Sequence, residues 1–442
     1  MSLLWVVLLL AAGAAAQPSI AITHVTAVDV DHGALRPDQT VVVQGNRIAA
    51  AGDAARVPVP MGSHIVDGRG KFLMPGMWDM HVHELPDPHA AELFIANGVT
   101  GVRDMYDNPV KMAALRKSMQ ERRASGPRVF ASGRVLNGVA ENDHQIGVHT
   151  AAQAREAVRQ QIQAGVDFIK IYNGLSREAF YAIAAECKRQ GIPFAGHTSD
   201  SVTTAEAAAA GQRSIEHLDG VLLDCSREVA WLRRSGVFVP DQRMLDSFDP
   251  LRAARLFATF VRCGTWHCPT LSIYQSAVFV DDPAQVNNRQ DPKLARFLPN
   301  FWLPHPAPHL SQAPLDRAIE QRMMQITAMM FRAGVPLLAG TDTGAPYVLP
   351  GFGLHDELEL LVAAGLPVRA VLRIATLAPA EFLGRTAEFG SLERGKLADL
   401  VLLDRDPCES IRNTRFIHAV VANGRWYERQ ALDNLLRNAG AP

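Results

Sequence analysis

MPGMWDMHVH, residues 74–83, decides how this chain is read. A Pro-Gly turn leads into an apolar run that closes on two histidines one residue apart. Side chains alternate along an extended strand, so His81 and His83 point to one side and can reach the same ion. Alone the pattern says little, because histidines so spaced also occur in ordinary cores and surfaces. Further along, however, four more ligand-type side chains end apolar runs: Lys170 in VDFIKIY, His197 in IPFAGH, His217 in RSIEH and Asp342 in VPLLAGTD. The runs alternate with helical patterns, which implies a parallel sheet. Six such residues at strand ends describe a metal site at the carboxyl mouth of a (β/α)8 TIM barrel, where barrel enzymes keep their chemistry.

The chain has room for a barrel and a companion. Its 442 residues are 48% hydrophobic and 20% charged, which suits a large core and argues against disorder. Lys and Arg number 44 against 45 Asp and Glu, so no nucleic acid or membrane-surface partner is expected. Short alternating strands occupy both ends: SIAITHVTAVDV and TVVVQGNRIAAAG early, LADLVLLD and HAVVANGRWYE late. Asn423-Gly424 is a strong hairpin signal. The economical arrangement is a small β-sandwich domain from residues 17–72 and 384–442, with the barrel between them at 73–383.

Residues 1–16, MSLLWVVLLLAAGAAA, hold an apolar stretch and end in small residues, as a secretory signal peptide does. The run is too short to span a bilayer. Cleavage after Ala16 and export to a periplasm are expected, with no membrane contact afterwards. The five cysteines form no paired C-x-x-C motif. Cys263 and Cys268 are near enough to bridge, although buried free thiols are the more ordinary reading.

Within the middle segment, Asp87-Pro88 reads as the start of a helix that stops at Gly98. Ser176 caps SREAFYAIAAECKRQG, and Gly191 ends it. Residues 240–330 follow the βα rhythm poorly and are read as a strand around Thr270–Tyr274 followed by an excursion over the mouth.

Lys170 is the sharper clue to chemistry. A buried ammonium is costly unless paired or modified. At a strand end it could snorkel to solvent. Beside the histidines the better reading is a lysine carboxylated by carbon dioxide, whose carbamate bridges two metals. That reaction needs the neutral amine, which desolvation beside cations favours. Asp342 can touch a metal and accept the proton of bound water, although a carboxylate there could also cap the next helix. Histidines with carboxylates suit zinc best, manganese or cobalt being possible.

These blocks resemble the amidohydrolase superfamily, in the branch of imidazolonepropionase-like proteins and Xaa-Pro or Xaa-Arg dipeptidases. PGMWDMHVH, VTGVRDM, FIKIY, SIEHLDG, AGTDTGAP, LHDELELLVAAGL, GSLERGKLADLVLLD and NTRFIHAVVANGRWYE carry the likeness over nearly the whole mature chain. Residue by residue, the resemblance implies that His81, His83 and Asp342 hold one metal and His197 and His217 the other. Carboxylated Lys170 would bridge them. The chain departs from the dipeptidases in a shorter segment between Lys170 and His197 and a long one between His217 and Asp342. Both flank the mouth, so fold and metal site carry over while the substrate does not.

The expected reaction is attack of a metal-activated water on an amide carbonyl, with Asp342 as general base and then acid. Tyr172, two residues past Lys170 on the same strand face, could donate to the oxyanion. His144, Arg134 and Arg243 lie on loops expected to border the pocket and could hold a substrate carboxylate. His355 is either structural or a substrate contact, and Arg103 is expected in an interior ion pair. The favoured substrate is a dipeptide or N-acyl amino acid, with a cyclic amide or lactone as the alternative. From another class, an exported binding protein that merely holds metal has the same ligands but no use for a spare carboxylate. A homo-oligomer is possible.

Overall fold

The computed structural model describes residues 19–83, 85, 88–121, 123–280 and 313–439. The expected signal segment, the helix cap at Asp87 and most of the expected mouth excursion (281–312) lie outside these. Strands from both chain ends share one eight-stranded sheet. Ser19–Asp29 pairs antiparallel with Ala34–Gln44, which pairs with Arg47–Asp53. On its other side Phe72–Pro75 joins Ser19–Asp29 to Leu400–Leu403, followed by Ile417–Ala422 and Arg425–Glu428. Two facing sheets were expected here. Hydrogen bonds instead link all eight strands in one network, with His64–Asp67 branching off parallel to the first half of Ser19–Asp29, and register shifts in Ser19–Asp29 let it bend. Ile22, Val41, Leu73, Leu400 and Val421 fill its core. Asn423 and Gly424 both take positive φ (50° and 72°), the geometry the late hairpin demands.

Between these ends the strands are parallel. Met77–Val82, Val99–Asp104 and Arg128–Ala131 form one sheet. Val135–Asn137, Ile169–Ile171, Phe194–Gly196, Ser214–Glu216 and Trp266–Cys268 form another, extended at its edge by Gln145–Gly147. Backbone bonds join the two sheets at both edges. Asp167 N donates to Ala131 O (2.8 Å) on one side. On the other, residues 336–341 run between Trp266–Cys268 and Met77–Val82, with Leu338 N donating to His267 O and Met80 N to Ala339 O. The architecture is α/β, its helices between successive strands.

The Arg177–Gln190 helix shows how local sequence sets these units. Ser176 Oγ accepts from Ala179 N, and Gly191 at φ 69° closes the helix in the left-handed conformation. Ala179, Phe180, Ile183 and Cys187 are buried along one stripe. The expected strand at Thr270–Tyr274 is instead the start of helix Leu271–Val280, and the strand lies earlier, at Trp266–Cys268. Pro269 ends the ladder and Thr270, at φ 47°, turns the chain. All five cysteines are free, Cys263 being exposed and Cys268 buried. Among the described residues no helix is long and apolar enough to cross a membrane.

Candidate metal centre

Six side chains from four strands and the segment 336–342 meet at one end of the parallel strands. His81 lies in Met77–Val82 and His83 just past it. Asp342 follows residues 336–341, and its backbone N–H donates to His81 O (2.8 Å). Asp342 Oδ1 sits 2.9 Å from His83 Nε2 and 3.2 Å from His81 Nε2. Ligand atoms of these three residues lie within 4.8 Å of one another, close enough for one ion. His197 and His217 end the next strands, with ring centroids 4.8 Å apart, and His217 is 4.5 Å from His81.

Lys170 stands between the two groups, wholly buried, and its Nζ has no hydrogen-bond partner. Burial lowers its pKa to about 8, against the pull of Glu216 and Asp342. Gly196 is required beside it. A Cβ there would come within 2.2 Å of Ile171 O and 3.0 Å of Lys170 Cδ, and its φ of 135° suits only glycine.

A set of polar neighbours fixes the imidazoles. His81 Nδ1 meets Glu216 Oε2 at 2.9 Å, His197 Nδ1 meets Asn173 Oδ1 at 2.6 Å, and His217 Nδ1 meets Thr270 Oγ1 at 2.7 Å. Each bond orients a ring and leaves Nε2 for the centre, as metal-binding histidines are usually held. Glu216 is held in turn by Arg103 (2.6 Å), the interior ion pair expected of that arginine. Burial pulls the pKa of His83 down to about 4 and of His217 to about 3, so these rings are neutral and have lone pairs to give. Burial works against the Asp342 carboxylate, but His217 and His81 outweigh it and hold its pKa well below the usual range. His217, Leu218, Thr270 and Asp342 all take positive φ, the backbone strain that collects where side chains must be aimed.

The residues present fit divalent metal. His81 Nε2 and His83 Nδ1 are buried without hydrogen-bond partners, as is Lys170 Nζ, and such orphaned groups are costly unless something else binds them. A cavity of about 420 Å³ opens from the centre, lined by Tyr172, whose ring lies 4.1 Å from that of His197. Leu222, Leu223, Phe238, Met244, Ile273 and Met323 form an apolar wall, and Asp219 adds a carboxylate.

The expected substrate anchors lie elsewhere. Arg134 donates to the carbonyls of Asp143 and Gln145 and braces its own loop. Arg243 pairs with Glu228 and lies 3.7 Å over the Trp231 ring on the surface. His355 is buried in helix Phe352–Ala363, with Thr414 Oγ1 on one nitrogen and Asn97 O on the other, which gives it a structural place. His144 is exposed outside the cavity, its ring 5.2 Å from Tyr106, which packs against His83. Arg134, Arg243 and His144 were placed by loop position, which says nothing of where a long side chain turns, while His355 takes the structural one of its two expected roles. Glu216, Asn173, Thr270 and Asp219 were missed. Glu216 alone left a trace, as an acid inside an apolar strand beside a ligand histidine.

A strand-end cluster of histidines, carboxylate and buried lysine on a parallel α/β scaffold defines a metal-dependent hydrolase acting on carbon–nitrogen bonds. The profile of the amidohydrolase family matches residues 72–427, and the chain belongs to that family. Among solved structures it resembles a protein of Bifidobacterium longum described as a prolidase, with 26% identity and a TM-score of 0.72 over 97% of this chain and 100% of that one. A Xaa-Pro dipeptidase with methionine bound in its active site is 22% identical, with a TM-score of 0.68 over 93% of this chain and 100% of that one. Bottromycin amidohydrolase is 23% identical, with a TM-score of 0.72 over 96% of this chain and 91% of that one. The last two likenesses are of fold. No curated protein matches the chain in a sequence comparison.

Proposed function

We propose that the chain hydrolyses an amide bond in a dipeptide or N-acyl amino acid with an apolar side chain, using two divalent ions at the mouth of a TIM barrel. The backbone bonds that join the two parallel sheets at both edges support the closed barrel. The single observation that carries the function is the buried constellation of His81, His83, His197, His217, Asp342 and an unpartnered Lys170. His81, His83 and Asp342 would hold one ion, His197 and His217 the other, and Lys170 as a carbamate would bridge them. Zinc suits this donor set best. Bound there, such a pair polarises a carbonyl and acidifies water.

The chain's own groups supply the rest. Asp342, held as a carboxylate, takes the proton from attacking water and returns it to the departing nitrogen. Tyr172 faces the cavity beside His197 and can donate to the carbonyl oxygen as negative charge develops. The apolar wall takes the substrate side chain and excludes water. Apart from Lys170, which the carbamate would take up, no lysine or arginine stands among the described lining residues, so a substrate carboxylate finds no arginine there. The bound methionine and the prolidase description of the neighbours support a small peptide-like substrate.

A panel of Xaa-Pro, Xaa-Leu and N-acetyl amino acid amides, with cyclic amides and lactones alongside, tests this on metal-loaded protein. Turnover is expected for linear amides with apolar side chains. Turnover confined to rings would transfer the site to the alternative substrates. Binding without turnover of any compound would leave a metal-holding protein. We also propose that residues 1–16 are removed on export to the periplasm, checked by sequencing the amino terminus of secreted protein.

A further inference from the structure

The polar neighbours of the three held imidazoles differ in what they can dictate. Glu216, a carboxylate paired with Arg103, can only accept from His81 Nδ1. Thr270 spends its hydroxyl proton on Pro269 O (2.8 Å), so its oxygen too can only accept, from His217 Nδ1. Asn173 is different, because a side-chain amide can turn either its oxygen or its NH2 group to a neighbour. A ligand imidazole is neutral and carries a single ring proton. With the amide oxygen toward it, His197 keeps that proton on Nδ1 and leaves the Nε2 lone pair for metal. With the NH2 group toward it, Nδ1 would accept, the proton would move to Nε2, and the lone pair would be lost.

Acceptors on the far side of the amide settle which way it turns. Asn173 Nδ2 donates to Asp219 Oδ2 at 3.0 Å and to Thr198 O at 3.2 Å. Oδ1 is therefore the atom that meets His197 Nδ1, at 2.6 Å. The Asp219 carboxylate is itself fixed, since Thr198 N donates to the same Oδ2 at 2.8 Å and Thr198 Oγ1 to the Asp219 carbonyl at 3.2 Å. The half-buried Asp200 carboxylate lies near the same NH2 group and favours the same orientation. These residues follow three neighbouring strands: Asn173 comes after Ile169–Ile171, His197 and Thr198 after Phe194–Gly196, and Asp219 after Ser214–Glu216. Asp219 thus reaches Asn173 across the strand end that presents His197.

We propose that Asp219 is a positioning residue for the metal centre: by holding the Asn173 amide in one orientation it fixes the tautomer of His197 and presents Nε2 to the ion. The proposal rests on the reading of His197 as a ligand. Its task is distinct from that of Asp342, because Asp219 acts through Asn173 and not on the ion. What it supplies is an acceptor oxygen, so an amide in its place should serve as well as the carboxylate.

Chelator competition on the zinc-loaded full chain tests this, with the tautomer read separately from the nitrogen-15 shifts of the His197 ring in the metal-stripped full chain. Groups that orient a metal-binding histidine contribute about 10- to 100-fold in metal affinity, so Asp219→Ala and Asn173→Leu should each weaken one ion by that order. Asp219→Asn should bind zinc like wild type. The ring proton should sit on Nδ1 in wild type and Asp219→Asn, and spread onto Nε2 in Asp219→Ala. Wild-type affinity together with an unmoved proton in Asp219→Ala would overturn the proposal. So would an equal loss in Asp219→Asn, because charge and not the acceptor would then matter. A loss in Asp200→Ala but not in Asp219→Ala would give the role to Asp200 and overturn it too. If His197→Ala costs no metal, the ligand reading fails instead, and the ring nitrogens still report whether Asp219 sets the tautomer.

Discussion

Two kinds of buried histidine in this molecule look alike by burial and differ by what their nitrogens do. His217 at the strand ends and His355 beneath its helix are both enclosed, and burial pulls the pKa of each down to about 3. His355 has a partner on each nitrogen, Thr414 Oγ1 and Asn97 O. His217, like His81 and His197, is held at Nδ1 alone and turns its other nitrogen toward neighbours of the same kind. A depressed pKa therefore does not distinguish a ligand from a structural histidine. An unspent nitrogen facing other unspent donors does. His267 completes the comparison: neither nitrogen has a partner, but among the described residues it joins no cluster of metal-ligating atoms, and it packs 4.4 Å from the Phe260 ring.

The contrast breaks most visibly at Lys170. Lys170→Ala should empty at least one metal position and abolish turnover, and a short carboxylic acid in the medium should restore part of it by standing in for the carbamate. A variant with both metals and a normal rate would remove the lysine from the centre. Next in size is Asp342→Asn, which keeps an oxygen for the metal but cannot take a proton. Proton transfer by a positioned group contributes about 100- to 10,000-fold, so kcat should fall by that order with KM changed far less. Steady-state kinetics within tenfold of wild type would name another base.

His355→Ala sharpens the comparison from the other side. Filled nitrogens predict that metal content and kcat stay at wild-type values, while the lost packing and two broken hydrogen bonds cost about 2 to 4 kcal/mol in denaturant unfolding. A loss of metal at unchanged stability would make this histidine part of the site. The smallest effect belongs to His267. Removing its unpaired nitrogens in His267→Leu should stabilise the fold by about 1 kcal/mol at pH 7. Burial holds its folded pKa at about 3, against about 6.5 in the unfolded chain. As pH falls between these values only the unfolded chain gains the proton, so wild-type stability is lost across that window. The leucine variant should lose less, and equal acid sensitivity would contradict the buried neutral ring.

The six side chains that meet at the candidate centre were legible because each ends an apolar run, where the strand period and the chemistry agree. The terminal sheet was legible for the same reason, through alternation and Asn423-Gly424. What the sequence hid depends on contacts between distant segments. Asn173 and Thr270 meet their histidines only after the strands assemble, and neither residue type is unusual in a loop. Arg134 and Arg243 were misplaced because an arginine on a loop can turn to a carbonyl or a tryptophan as readily as to a pocket. The apolar stretch after Pro269 fits helix or strand by periodicity, and the turn at Thr270 decided it for helix.

The central claim is that these side chains hold two ions rather than one. Elemental analysis of purified, fully active protein against active-site concentration tests it directly. Close to two divalent ions per chain are expected, with activity falling in step as a chelator removes them. One ion per chain at full activity would contradict it.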